Sequence, residues 1–143
     1  MSDQRDDPDV YPMPAFTRLA CTDLDESAEW FETVAGFETV FSMPGLSHLR
    51  YRRYADVLLA PASGDEQVGS GGATLCFNVV DETVADVAER AHDADWPGVD
   101  GPTETAWNTR EVTLTSPDGY DLTFSEPVDT SRDFDEVMGL DGE

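Results

Sequence analysis

One order of segments is written twice along this chain, and that repetition narrows the folds open to it. Ala15 to Cys21 (AFTRLAC) reads as a strand, and Asp23 just after it can cap a helix. Glu26, three residues on, makes an Asp version of the capping box. The helix predicted from about Leu24 to Ala35 lines Leu24, Ala28, Phe31 and Val34 along one face, and Gly36 stops it. Phe37 to Phe41 is a strand and Pro44-Gly45 a turn. Leu46 to Tyr51 and Tyr54 to Ala60 follow as strands joined near Arg52-Arg53. After a Gly/Ser/Asp linker, Pro61 to Gly72, the order returns. Ala73 to Val79 is a strand, Asp81 the next cap, and the helix from about Glu82 to His92 buries Val84, Val87, Ala88 and Ala91. A short strand is expected near Glu104 to Trp107. Arg110 to Thr115 and Tyr120 to Ser125 form a hairpin whose connection, Ser116-Pro117-Asp118-Gly119, suits a type I turn.

The expected fold is therefore α+β, with two βαβββ modules forming a curved mixed sheet around a central cleft. The modules span about 14–62 and 73–127, within one domain over 14–127. A lone module leaves one sheet face uncovered, and pairing two of them encloses a natural small-molecule site. Residues 1–13 read as a flexible acidic tail. Residues 128–143 read as a second acidic tail, in which Phe134, Val137, Met138 and Leu140 either dock as a short amphipathic turn or stay disordered.

Charge sets the environment. The chain carries 31 acidic residues against 8 basic ones, a net −23, and every basic residue is Arg. Self-repulsion at that charge strains a compact chain in dilute buffer. In molar salt the Debye length falls to about 3 Å and the repulsion is screened. Acids occur in every segment, the pattern of salt-in halophile proteins rather than of one acidic binding face. Nucleic-acid binding is not expected, since phosphate contact needs a cationic surface. No apolar run is long enough for a membrane span. The start shows no signal-peptide core, and Cys21 and Cys76 lie far apart without a CxxC. A cytoplasmic protein with reduced, half-buried cysteines is expected.

FTRLACTDLDESAEWF resembles the start of a vicinal-oxygen-chelate module, of the glyoxalase / bleomycin-resistance / extradiol-dioxygenase superfamily. WNTREVTLTSPDGYDLTFSEP resembles the end of one, and LSHLRYRRYADVLLAP the matching end of the first module. The resemblance spans about Pro14 to Pro127. It implies metal ligands on the first and last strand of each module, and the matching positions are Phe16, Leu58, Thr74 and Thr123. Phe and Leu cannot coordinate, and neutral Thr hydroxyls are poor ligands for zinc or non-haem iron. No metal and no other cofactor is expected.

Strand alternation turns Phe16, Arg18 and Ala20 toward the cleft, with Asp56 and Leu58 from the fourth strand and Thr74 from the fifth. Asp121 and Thr123 join them from the last. Arg18 there captures a carboxylate or phosphate, or pairs structurally with Asp56 or Asp121. Arg50, Arg52 and Arg53 form a basic cluster beside His48; they funnel an anionic ligand, or mark a hairpin tip or dimer contact. Trp107 and Arg110 stack a planar ligand at the cleft mouth or simply pack. The ligand-binding set is thus Phe16, Arg18, Arg50, Leu58, Thr74, Trp107, Arg110 and Thr123, and the acid/base candidates are His48, Asp56 and Asp121. Three readings stand: a homodimeric binding protein for a small organic molecule with no metal; a metal-independent lyase or isomerase; and an interaction domain with a vestigial cleft.

Overall fold

The computed structural model describes residues 15–52 and 55–128. Both expected tails lie outside those residues, apart from Val128. The first module runs β1 (Thr17–Cys21), α1 (Leu24–Thr33), β2 (Glu38–Met43), β3 (Leu46–Tyr51) and β4 (Ala55–Pro61). The second runs β5 (Leu75–Asn78), α2 (Val84–Asp93), β6 (Val99–Glu104), β7 (Thr109–Thr115) and β8 (Asp121–Pro127). The strands form two four-stranded sheets, β1-β4-β3-β2 and β5-β8-β7-β6. In each, the first strand pairs parallel with the last, and the remaining pairs are antiparallel. Even the irregularities repeat: β2 slips register between Thr39 and Phe41, and β6 between Asp100 and Thr103.

The helices form where the local chemistry asks for them. The Asp23 carboxylate accepts from the Glu26 N–H at 3.1 Å, and Gly36 takes φ +82 beyond the helix end. The expected cap at Asp81 is corrected to Thr83. Thr83 and Asp86 close a full capping box, each side chain bonding the other's N–H at 3.0 Å, while Asp81 lies between β5 and the helix in a left-handed turn at φ +61. The strand expected near Glu104 to Trp107 lies earlier. The Thr105 N–H donates to the Thr109 carbonyl at 2.8 Å and Asn108 adopts φ +71, so residues 105–108 form a loop and pairing is pushed back to Val99–Glu104. The cysteines are both free, but neither is half-buried: Cys21 is buried and Cys76 exposed.

The helix-covered faces of the two sheets share a single core. Val84, Val87, Ala88 and Ala91 are buried as the sequence pattern required. Rings cross the module boundary at Tyr51–Phe124 (5.2 Å), Phe37–Phe77 (5.4 Å) and Trp30–Trp96 (5.6 Å). Such aromatic pairs add about 0.5–1.5 kcal/mol each beyond the area they bury.

Each module's last hairpin also grips the other module's strand–helix junction. The Asp118 carboxylate, in the β7–β8 turn, accepts from the Thr22 N–H and the Ser27 hydroxyl. Arg52, in the β3–β4 turn, donates through Nε to the Val80 carbonyl at 2.7 Å. Tyr120 reaches back to edge strand β1, where its hydroxyl accepts from the Ala20 N–H and donates to the Ala20 carbonyl. With their inner faces joined this way, the sheets leave large apolar side chains outside: Phe16 (58 %), Phe41 (51 %) and Met43 (49 %) are exposed.

Candidate functional site

Paired residues on neighbouring strands point to the same side, so the strand register maps the outer face directly. Across the first sheet one row reads Arg18, Leu58, His48, Phe41. The adjoining row on β4, β3 and β2 reads Asp56, Arg50, Glu38. Asp56 is the electrostatic centre of this face. Its carboxylate accepts from Arg50 Nε at 2.7 Å and Arg50 Nη2 at 3.0 Å, and contacts His48 Nε2 at 2.6 Å. Burial pushes the Asp56 carboxyl up, but the hydrogen bonds from Arg50 and His48 outweigh it and hold the group below its ordinary value. Asp56 is thus an ionised anchor rather than a proton acceptor. It orients His48, whose side chain remains about a quarter exposed.

Arg18 differs from every other described arginine. Arg50 is buried against Asp56, Arg52 and Arg90 both hold Glu82, and Arg110 holds Glu104 and Glu126. Arg18 is exposed and, among the described residues, has no ion pair or hydrogen bond. The two acids expected as its partners are engaged elsewhere: Asp56 by Arg50 and His48, Asp121 by the Thr115 hydroxyl at 2.9 Å. The basic cluster is likewise divided. Arg50 turns into the sheet, Arg52 lies over the Tyr51 ring at 4.8 Å, and Arg53 lies outside the described residues.

The outer face of the second sheet is hydroxyl-rich and self-satisfied. The Thr113 and Thr123 hydroxyls meet at 2.6 Å, and Glu111 accepts from Thr109 at 3.1 Å. Trp107 is exposed in the β6–β7 loop, away from the Arg18 row, and His92 is exposed in the last turn of α2.

Between the first strands of the two modules lies a pocket of about 550 Å³. Leu19, Val57, Leu75, Phe77 and Tyr120 supply much of its wall, with Phe16, Asp56 and Thr74 from the expected set. Arg18 is not itself in the wall, but Thr17 and Leu19 on either side of it are. The remaining expected residues lie outside the pocket lining. Sequence reasoning missed the core-side residues of the wall because the pocket opens at strand edges, where both faces of a strand are reached. It also missed the Arg50–Asp56 pair, whose signal is that the two residues stand opposite each other across the β3–β4 hairpin.

A metal does not fit the donor set. Phe16 and Leu58 carry no donor atom, Thr123 is bonded to Thr113, and Thr74 is a lone hydroxyl. Among the described residues no three His, Cys, Asp or Glu side chains converge.

This geometry accompanies a family-wide sequence match. Residues 14–124 match the model of the Glyoxalase/Bleomycin resistance protein/Dioxygenase superfamily. The chain belongs to that superfamily. Solved structures share its fold. Lactoylglutathione lyase from Agrobacterium tumefaciens superposes with a TM-score of 0.62 at 22% identity, covering 81% of this chain and 95% of that one. The bleomycin resistance determinant encoded on transposon Tn5 gives 0.62 at 19% identity, covering 81% and 98%. A glyoxalase/bleomycin resistance protein from Streptomyces sp. CB03234 gives 0.65 at 16% identity, covering 78% and 97%. No curated protein matches the chain. Glyoxalase-superfamily membership accounts for the repeated βαβββ order and the two mixed sheets.

Proposed function

We propose that this superfamily member binds a small organic molecule between its two modules, without a metal. The observation that carries this reading is the pocket of about 550 Å³ at the β1/β5 seam. It falls within the roughly 300–1,000 Å³ of small-molecule sites, and its walls are mainly apolar. A vestigial interaction domain would have filled that space. The four positions implied for metal ligands are the same however modules pair, within a chain or between chains, so partnering does not supply the missing donors. The exposed Phe41 and Met43 on β2 support a homodimer in which a second copy covers the β2 end of the outer face.

A second reading is favoured by the His48–Asp56 contact at 2.6 Å. With Nε2 engaged by the carboxylate, Nδ1 is the ring nitrogen left for proton transfer to or from a substrate, which suits a metal-independent lyase or isomerase.

The setting we propose is cytoplasmic and salt-rich. Carboxylates are exposed on both helices, with Asp25, Glu26, Glu29 and Glu32 on α1 and Asp86, Glu89 and Asp93 on α2. They are thus carried by both modules rather than by one. No described helix is long and apolar enough to cross a membrane.

The test is a thermal-shift screen of small organic compounds in molar KCl, with elemental analysis of the purified protein. A ligand that binds the folded state raises Tm by mass action. Stoichiometric zinc, iron or manganese overturns the metal-free reading. A complete absence of shifts across acids, amines and neutral aromatics overturns the binding reading.

A further inference from the structure

We infer that the pocket ligand is a carboxylate with a flat apolar body, its acid group held by Arg18 and its body lodged at the β1/β5 seam. The inference rests on the binding reading above and adds the ligand's chemical class.

Three observations converge on it. First, Arg18 is the only described arginine with no polar partner, in a chain of net −23 where acids are abundant. The two acids expected as its partners, Asp56 and Asp121, are held by other groups, so its guanidinium keeps all five donors for an incoming anion. Second, Arg18 is flanked by the pocket wall. Its chain neighbours Thr17 and Leu19 both line the pocket, and Phe16, two residues before it and so on the same side of the extended chain, lines it too. Phe16 is 58 % exposed, an aromatic surface beside an unpaired cation. Third, among the described residues the pocket lining supplies no competing cation. The one charged residue among them is Asp56, whose carboxylate is closed off by Arg50 and His48. The apolar wall takes the body of a ligand, and the rim takes the charge.

Carboxylate recognition by Arg is planar and bidentate, which a point charge does not reproduce. The net negative field opposes any anion at low ionic strength, but molar salt screens it while leaving the short contact.

The experiment compares 2-naphthoate with its uncharged isostere 2-naphthamide by titration calorimetry in molar KCl. The amide reads the pocket alone; the ratio of the two reads Arg18. Wild-type protein is expected to prefer the acid about tenfold. Arg18→Gln should bring the acid down to the level of the amide, and Arg18→Lys should restore only part of the preference. Because Arg18 makes no contact that holds the fold, the ligand-free Tm of both variants should match wild type within about a degree. If the amide binds as tightly as the acid, or Arg18→Gln keeps the preference, the carboxylate inference falls and the pocket reading stands. If neither probe binds at millimolar concentration, the carboxylate inference falls, and the broader thermal-shift screen decides the pocket reading on its own.

Discussion

The phenol of Tyr51 donates to the carboxylate of Glu82 at 2.6 Å, joining the end of β3 in one module to the start of α2 in the other. Glu82 also receives Arg52 from the first module at 3.0 Å and Arg90 from the second at 2.8 Å. Arg90 in turn donates to the carbonyls of Val34 and Ala35 at the end of α1. One buried carboxylate thus ties together groups from both halves.

Glu82→Gln removes the charge that two arginines and a phenol share. Breaking a buried pair costs about 3–5 kcal/mol, and the partly exposed arginines bring the expected loss to about 2–3 kcal/mol. Urea denaturation should show it as a lower midpoint with an unchanged slope. An unchanged midpoint would mean that the aromatic core alone holds the modules together.

Alkaline pH should weaken the same junction. Burial, reinforced by Glu82, pushes the Tyr51 phenol up to about 12 from its ordinary value near 10. The folded state therefore keeps a proton that the unfolded chain gives up. This contribution is fully present below about pH 10 and is lost as pH rises through about 12. Tyr51→Phe should flatten the difference in stability between pH 10 and 12. A variant whose alkaline profile parallels wild type would remove Tyr51 from the explanation.

Asp56 acts at the opposite end of the scale. Arg50 and His48 hold its carboxyl below the usual value in spite of burial, so the folded state binds its proton more weakly than the unfolded chain. Its stabilisation is present above about pH 4 and fades as pH falls through the lower folded value. Asp56→Asn should lower stability at neutral pH and show less further loss on acidification than wild type. Equal acid sensitivity in the two proteins would contradict this.

Ionic strength is the remaining lever. At net −23, transfer from molar KCl to 10 mM buffer should lower Tm by several degrees, because screening is lost for exposed carboxylates on both helices. Calorimetry at the two salt concentrations measures it. Identical transitions would remove the salt-adaptation reading.

The repeat was legible in the sequence because its signals are local. Apolar spacing buried Val84, Val87, Ala88 and Ala91 under the second sheet, and the Ser116–Gly119 turn closes with the Gly119 N–H on the Ser116 carbonyl. The second helix cap was misread because Asp81 and Thr83 are both good capping residues. The choice was made by which side chain found a reciprocal partner in Asp86. The site was less legible because it depends on register and on docking. Arg50 reads as part of a basic run until β3 folds back on β4 and sets it opposite Asp56. Strand alternation turned Arg18 toward the cleft, but only the packed structure shows it exposed outside the pocket lining, with its two expected partners already taken. Ala20 and Tyr120 stand 100 positions apart, beyond any periodicity.

That last contact has a consequence for solubility. A sheet's outermost strand offers unpaired N–H and C=O groups, on which another chain can add a strand and begin an aggregate. At Ala20 both of those groups are occupied by the Tyr120 hydroxyl. The cover comes from the other half of the chain, so this stretch of β1 stays shielded only while the second module is folded against the first. Excised alone, the first module would present that edge uncovered, and self-association would compete with its folding.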